Sequence, residues 1–339
     1  MASAPPVPLI DVSPFVSEAE HGDGARAAVA AEWDRAMSEV GFAVIVGHGV
    51  APATVEALRA GARAFFGQAA EDKRRYRLGP YGHPHGGYSA VGAEAVSRTR
   101  DAHGADGGAD AAALRDAAPD PVESFVYQPG SPVPPPEALR GPAEAYRAEL
   151  LRVLGCLHHL TAAALGLPRD YFGPFYRPAP SVHLRLAWYP PLAAGAPDAG
   201  AGGGGPRYGE HTDYTGYTLL LQDDADAGEA GAGGLEVLLR TGEWHAVAPT
   251  PGALVVNAGD LLEVWTNGRW RSTVHRVAGP PPGSPAARRP RLSVPFFTGP
   301  HDDAVISAIP TCVGEGRPSR YPPVRAGDHL LRKLGVSNV

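Results

Sequence analysis

The stretch "YGEHTDYTGYTLLLQDD", Tyr208–Asp224, sets His211 and Asp213 two positions apart, just ahead of a run of leucines. In a strand, side chains at i and i+2 share one face. An imidazole and a carboxylate projected together into an apolar interior are costly unless something pairs them. A divalent cation is one such partner. The pair therefore directs attention to a third ligand and to the β-structure that would enclose it.

Working outward, the chain after Pro180 reads as short β-like runs broken by turns: "SVHLRLAWYP", "YTLLLQD", "GLEVLL", "EWHAVAP", "ALVVNAGDLLEVWT", "RSTVHRVAG" and "RLSVPFF". Several short strands at this spacing predict a β-sandwich or barrel. Two glycine-rich segments, "AAGAPDAGAGGGGPR" and "ADAGEAGAGG", read as flexible insertions between strands. Upstream, Val29, Trp33, Met37 and Val40 recur at helical spacing and predict a helix over Arg26–Val40. "GFAVIVGHGV" suits a buried strand, and a second helix is expected over Thr54–Phe66. Residues 79–119, rich in Gly, Ala, Asp and His, predict loops. A long helix over 142–165 carries leucines 150, 154, 157 and 160 on one stripe, and "GDHLLRKLG" predicts a short helix in the tail. The fold class is mixed α and β. Residues 1–120 form a helix-and-strand region packing on a core at 121–300 that includes the helix 142–165, and 301–339 form a C-terminal tail.

The totals exclude several classes. The 339 residues are 44% apolar with net charge −6, which argues for a sizeable core and against a nucleic-acid backbone as partner. Two cysteines, Cys156 and Cys312, cannot organise a disulfide framework, so a reducing, cytoplasmic setting is expected. The start "MASAPPVPLIDVSPF" lacks the pattern of a secretory signal. No window approaches the roughly 18 apolar residues of a membrane span.

The third ligand is offered by "RSTVHRV", where His275 sits in a β-branched strand. Two histidines and one carboxylate on one face of an octahedron leave three positions open, the arrangement of non-haem Fe(II) oxygenases; a structural zinc site would close all four of its positions. In "PRLSVPFF", Arg291 and Ser293 are i and i+2 and share a face. A guanidinium and a hydroxyl without an acidic neighbour in the strand suit a carboxylate ligand, to which Tyr189 of "LAWYPP" adds a phenol. Other motifs read more plainly. "CLHH" (156–159) lies on the leucine-striped helix and reads as packing and surface histidines, "HPHGG" (83–87) as a loop, and Trp33 and Trp244 as core. Asp260 in "NAGDLLE" reads as a turn or strand-end residue.

These pieces resemble the isopenicillin N synthase-like family of Fe(II)/2-oxoglutarate-dependent dioxygenases. "GFAVIVGHGV", "GYSAVGAE" then "PVESF", "WYP", "HTD…TLLLQD", "GLEV…GEW", "PGALVVNAGD", "TNG…S…HRV" and "RLSVPFF" occur in family order across roughly residues 7–310. The resemblance implies a double-stranded β-helix (jelly-roll, cupin-like) core with flanking N-terminal helices. It implies iron on His211, Asp213 and His275, and the tail carboxylate of 2-oxoglutarate on Arg291, Ser293 and Tyr189. It implies Fe(II), 2-oxoglutarate and O₂ as the reagents of C–H oxidation by hydroxylation, desaturation or cyclisation. With Asp213 in place, halogenation is not expected. Three departures stand out: Ala187 replaces the family's Asn two residues before the Tyr, Thr215 replaces the Gly after "HTDY", and "AGPPPGSPAARRP" lengthens the path to the clamp. Arg288 and Arg289 are thus rivals to Arg291, which is preferred because it alone has a serine at i+2.

The partner is expected to be a small molecule, plausibly of specialised metabolism, and the protein a monomer or weak homo-oligomer. If Tyr189 faces inward, strand phase carries Ala187, Arg185 and His183 inward too. Arg185 would then favour an acidic substrate, with Phe297 and Tyr88 bordering the pocket. Two rival readings remain: an oxidase of the same fold that needs no 2-oxoglutarate and grips its substrate's own carboxylate, and a non-catalytic jelly-roll binding protein.

Overall fold

The computed structural model describes residues 6–78, 86–103, 118–192, 206–223, 233–281 and 283–337. Both glycine-rich insertions, the "HPH" tract and much of the 79–119 region fall largely outside these residues. Twelve strands of the described chain build two facing sheets. They are β1 (Leu9–Asp11), β2 (Phe42–Val46), β3 (Gly87–Ser89), β4 (Glu123–Tyr127), β5 (Ser181–Tyr189), β6 (Tyr208–His211), β7 (Tyr217–Gln222), β8 (Leu235–Leu238), β9 (Trp244–Ala246), β10 (Leu254–Ala258), β11 (His275–Val277) and β12 (Arg291–Gly299). The major sheet runs β1-β2-β10-β7-β12-β5-β4-β3 and the minor sheet β6-β11-β8-β9. Pairing in both sheets is antiparallel except for β1 with β2. This is the jelly-roll core, and the first 120 residues contribute three of its strands.

Register decides which residues reach the interior. On β12 and β5, Arg291 lies opposite Tyr189, Ser293 opposite Ala187 and Phe297 opposite His183. Across β7 and β10 the same face continues through Phe297–Thr218 and Thr218–Asn257, and then to Phe42 of β2. The alternate residues turn the other way. Leu184, Leu186, Leu219, Val256, Leu292, Val294 and Phe296 join one large apolar cluster with the helices. Those helices are α1 (Asp23–Glu39), α2 (Pro52–Phe66) and α3 (Glu137–Ala164). Leu150, Leu154, Leu157 and Leu160 of α3 are all buried there. At about 1.5–3 kcal/mol per buried leucine, this stripe fixes the long helix on the back of the sheet and leaves the opposite face free to line a site.

Two expectations are corrected. "ALVVNAGDLLEVWT" is not one β-run, because strand β10 stops at Ala258 and Asp260–Trp265 form a short helix, α4. Gly259 permits the break: a Cβ there would lie 2.7 Å from the Thr215 carbonyl oxygen and 2.8 Å from that of Gly216. Trp244 is half-buried rather than core, with the Arg276 guanidinium 4.0 Å over its ring. Trp33 is fully buried and donates its Nε1–H to the Tyr217 hydroxyl. In the tail, α5 (Ala326–Ser337) confirms the expected helix.

His158 on α3 packs its ring 4.1 Å from that of Tyr176, with Nε2 buried and unpartnered among the described residues. Burial pushes its pKa down to about 3 from an ordinary 6.5. The unfolded chain therefore takes up a proton near pH 6.5 that the folded chain refuses until about pH 3. Stability contributed by the neutral ring is full above pH 6.5 and declines as pH falls through that window. Between pH 7 and pH 5 the loss should be about 1–2 kcal/mol. In urea unfolding at the two pH values, His158→Phe should show a correspondingly smaller drop than the parent protein.

Candidate active site

His211 ends β6, Asp213 lies just beyond it in the loop to β7, and His275 starts β11 directly opposite His211. The strand argument for His211 and Asp213 thus holds in outcome, although Asp213 sits past the strand's end. All three side chains are buried, and one ligand atom from each lies within 4.8 Å of the others. Asp213 Oδ1 is 3.8 Å from His211 Nε2 and 3.7 Å from His275 Nε2.

The hydrogen bonds around the three define which atoms stay available. His211 Nδ1 donates to the Gly209 carbonyl at 2.8 Å, and His275 Nδ1 donates to the Thr273 carbonyl at 3.0 Å. A carbonyl only accepts, so each Nδ1 carries the proton and each Nε2 offers a lone pair. Burial and the neighbouring His275 push the pKa of His211 down to about 3, which keeps the ring neutral. On the carboxylate, Oδ2 accepts from Asn257 Nδ2 at 2.6 Å and from the Thr218 hydroxyl. That leaves Oδ1 for the space between the histidines. Two imidazole lone pairs and one carboxylate oxygen suit a divalent cation, and their outer atoms are already fixed in the way second-shell groups fix metal ligands.

The loop carrying Asp213 is itself pinned. The first N–H groups of α4, which have no partner within their helix, point at it: Asp260 N–H donates to the Asp213 carbonyl at 2.9 Å and Leu261 N–H to the Thr215 carbonyl at 3.0 Å. From the other side, the Asp120 carboxylate accepts the N–H groups of Gly209 and Val96, both at 2.8 Å. Burial raises its pKa to about 6.

Deeper between the sheets, Arg291, Ser293 and Tyr189 are buried on one face. All three guanidinium nitrogens of Arg291 lack a hydrogen-bond partner among the described residues, and its Cζ stands 5.1 Å from the centre of the Tyr189 ring. A buried cation left open in this way suits an anionic ligand. Arg288 and Arg289, the rivals, are exposed. Ala187, Tyr189, Ser293, Phe42, Asn257 and the three candidate ligands line one inner cavity.

A second, outer cavity adjoins His211 and Asp213. Its walls include Arg185, His183 and Phe297, which confirms the phase expected from Tyr189, together with Val96, Leu330 and Leu334. Arg185 is not open to a ligand, however. It forms an ion pair with Glu94 at 3.0 Å and donates to the Tyr208 hydroxyl at 2.7 Å. Tyr88, expected at the border, stands in β3 instead, where its hydroxyl donates to Glu123 at 2.6 Å within the buried pair that Glu123 makes with Lys73.

Sequence reasoning also missed an anchor. Asp260 is a buried ion-pair centre, with Oδ2 3.1 Å from Lys333 Nζ and 3.2 Å from His329 Nε2, and Oδ1 accepting from Ser272. It ties α5, which carries Leu330 and Leu334, to the helix that pins the Asp213 loop. Asn257 did leave a signal: it is a polar residue in the inward phase of an apolar strand.

Comparison with known proteins agrees with this geometry. The family profile described as the 2OG-Fe(II) oxygenase superfamily matches residues 180–300, and that described as the non-haem dioxygenase in morphine synthesis N-terminal region matches 7–122. The validamycin A dioxygenase of Streptomyces hygroscopicus subsp. limoneus is 31% identical, covering 96% of this chain and 85% of its own. The homoarginine-6-hydroxylase of Oryza sativa subsp. japonica is 31% identical, covering 97% of this chain and 96% of its own. The chain belongs to the 2OG-Fe(II) oxygenase superfamily. Among solved structures, a full-length Neurospora crassa protein in complex with alpha-KG superposes with a TM-score of 0.78 at 29% identity, over 97% of this chain and 96% of that one. This oxygenase is therefore an oxidoreductase of small molecules that uses Fe(II), 2-oxoglutarate and O₂.

Asn257→Ala removes one of the two donors that orient Asp213. The expected result is a fall in Fe(II) affinity of about 10- to 100-fold with the fold intact, read by competition with a metal-binding dye under anaerobic conditions.

Proposed function

We propose that His211, Asp213 and His275 hold the iron of this oxygenase and that Arg291, Ser293 and Tyr189 receive the tail carboxylate of 2-oxoglutarate. The observation that carries this reading is the buried Arg291 guanidinium, without a hydrogen bond of ordinary geometry among the described residues, packed against Tyr189, which lines the same cavity as the three convergent ligand atoms. Bound Fe(II) supplies the chelation of 2-oxoglutarate and the activation of O₂. The protein's own contributions are positional. Asn257 and Thr218 keep one carboxylate oxygen of Asp213 turned away from the metal, and the Gly209 and Thr273 carbonyls keep both imidazoles in one tautomer. Val96, Phe297, Leu330 and Leu334 exclude water beside the metal position.

The substrate enters the outer cavity and presents a C–H bond toward His211 and Asp213. An acidic substrate loses its support, because the Arg185 charge is already met by Glu94. A small molecule with an apolar portion fits the walls better. The relatives named for validamycin A, homoarginine and gibberellin differ widely in chemistry, so kinship supports small-molecule oxidation without choosing the compound. A cytoplasmic location is supported by the low cysteine content, Cys156 and Cys312 alone. Among the described residues, no helix is long and apolar enough to cross a membrane.

The test is anaerobic. Fe(II) and then 2-oxoglutarate are added to the apo protein, and the visible metal-to-ligand charge-transfer band of the chelate is followed. A saturable band is expected, abolished by His211→Ala and weakened by Arg291→Ala. Bound iron without a band would transfer Arg291 to the substrate's own carboxylate, as in an oxidase of the same fold.

A further inference from the structure

Arg291 is not alone at the deep end of the site. Arg207, immediately before β6 on the minor sheet, is 3% exposed. Its backbone N–H donates to the Val277 carbonyl at 2.8 Å, which fixes where its side chain starts. The guanidinium is poorly served. Nη2 reaches the Pro190 carbonyl only at 3.5 Å, and Nε is buried without a partner among the described residues. Its Cζ lies 6.0 Å from the centre of the Tyr189 ring, the same ring that Arg291 approaches at 5.1 Å. The two arginines line one cleft with Asp223 and the exposed Arg289. Neither forms an ion pair with a described carboxylate. Burial, and then the charge of Arg291, pull the pKa of Arg207 down to about 10.

Two guanidiniums gathered at one buried phenol repel each other and have each lost water. A carboxylate placed between them would offset both costs. On β5 the position opposite Ser293 is Ala187, which offers no polar group; on β7 it is Gln222, whose Nε2 donates to the Val247 carbonyl at 3.3 Å. We propose that Arg207 is the second guanidinium of the pocket for the 2-oxoglutarate tail carboxylate, reaching it from the minor sheet and replacing the polar contact that Ala187 does not make. The pocket is thus clamped from both sheets. This rests on the reading that Arg291 grips that carboxylate.

The test compares two 2-oxo acids on the Fe(II) protein without O₂: 2-oxoglutarate, and 2-oxovalerate, which has the same chain length but no distal carboxylate. Arg207→Met is expected to raise the half-saturating 2-oxoglutarate concentration for the visible band by about 10- to 100-fold. The concentration needed for 2-oxovalerate should not change, and Arg207→Lys should fall between parent and Met variant. Should Arg207→Met fail to fold, Arg207→Gln and Arg207→Lys carry the same comparison. Unchanged 2-oxoglutarate binding would overturn the proposal, as would equal weakening for both acids, which marks a merely structural arginine. Absence of the band in the parent protein would remove the Arg291 reading and this one together, and it would be seen before any substitution.

Discussion

A carboxylate buried between two sheets must have its charge met, and in this chain the two oxygens of Asp213 are met separately. One is held by Asn257 of β10 and Thr218 of β7, on the major sheet. The other faces two imidazole nitrogens carried by the minor sheet. The division does three things at once. It couples the sheets, it leaves a single oxygen to ligate, and it makes a cation the natural completion of the core. The backbone repeats the arrangement. The N-terminus of α4 spends its orphan donors on the loop that carries Asp213, so carboxylate, loop and helix are positioned as one piece.

That piece extends to the surface through Asp260. Its carboxylate meets Lys333 and His329 of α5, and the same helix places Leu330 and Leu334 on the outer cavity. Lys333 is fully buried, and a buried cation of this kind holds position only while its carboxylate does. The wall of the outer cavity and the loop that carries the candidate ligand Asp213 therefore share one ion-pair centre. The outer cavity is thus bounded by a helix that electrostatics anchors as well as by the leucines that line it.

Much of this was legible in the sequence because strands alternate with period two. Once Tyr189 was taken as inward, His183, Arg185 and Ala187 had to follow, and β12 carried Arg291, Ser293 and Phe297 in matching phase. The three candidate ligands were legible for the same reason, helped by ordered flanking motifs. What was not legible depends on residues far apart in the chain. Glu94, which pairs with Arg185, lies 91 positions away from it, and no local pattern announces the contact. The α4 helix was hidden because "DLLEVW" is a short apolar run that strand and helix fit equally well. Only the packing of Gly259 against the Thr215 and Gly216 carbonyls decides it. Tyr88 was misplaced because proximity in a family motif says nothing about which way a hydroxyl turns, and here it turns to Glu123.

The contrast among the buried arginines carries the last step. Arg185, Arg207 and Arg291 are all buried, yet of the three only Arg185 has a carboxylate partner among the described residues. Burying a guanidinium costs several kcal/mol, so a fold keeps one only where a counter-charge is supplied. For Arg185 the protein supplies it in Glu94, and the outer cavity is left with its charges matched. Arg291 and Arg207 make no direct ion pair among the described residues; the Asp223 charge favours Arg291 from a distance, yet burial draws the pKa of both downward. An anion from solution would complete the balance, so the end with Arg291 and Arg207 is suited to a carboxylate whatever occupies the outer cavity. The two halves of the site thus discriminate by different physics. An incoming anion relieves an electrostatic deficit at one end, while apolar contact and shape decide at the other. Changes among Val96, Phe297, Leu330 and Leu334 would leave the charge balance at Arg207 and Arg291 untouched, so the two ends can vary independently.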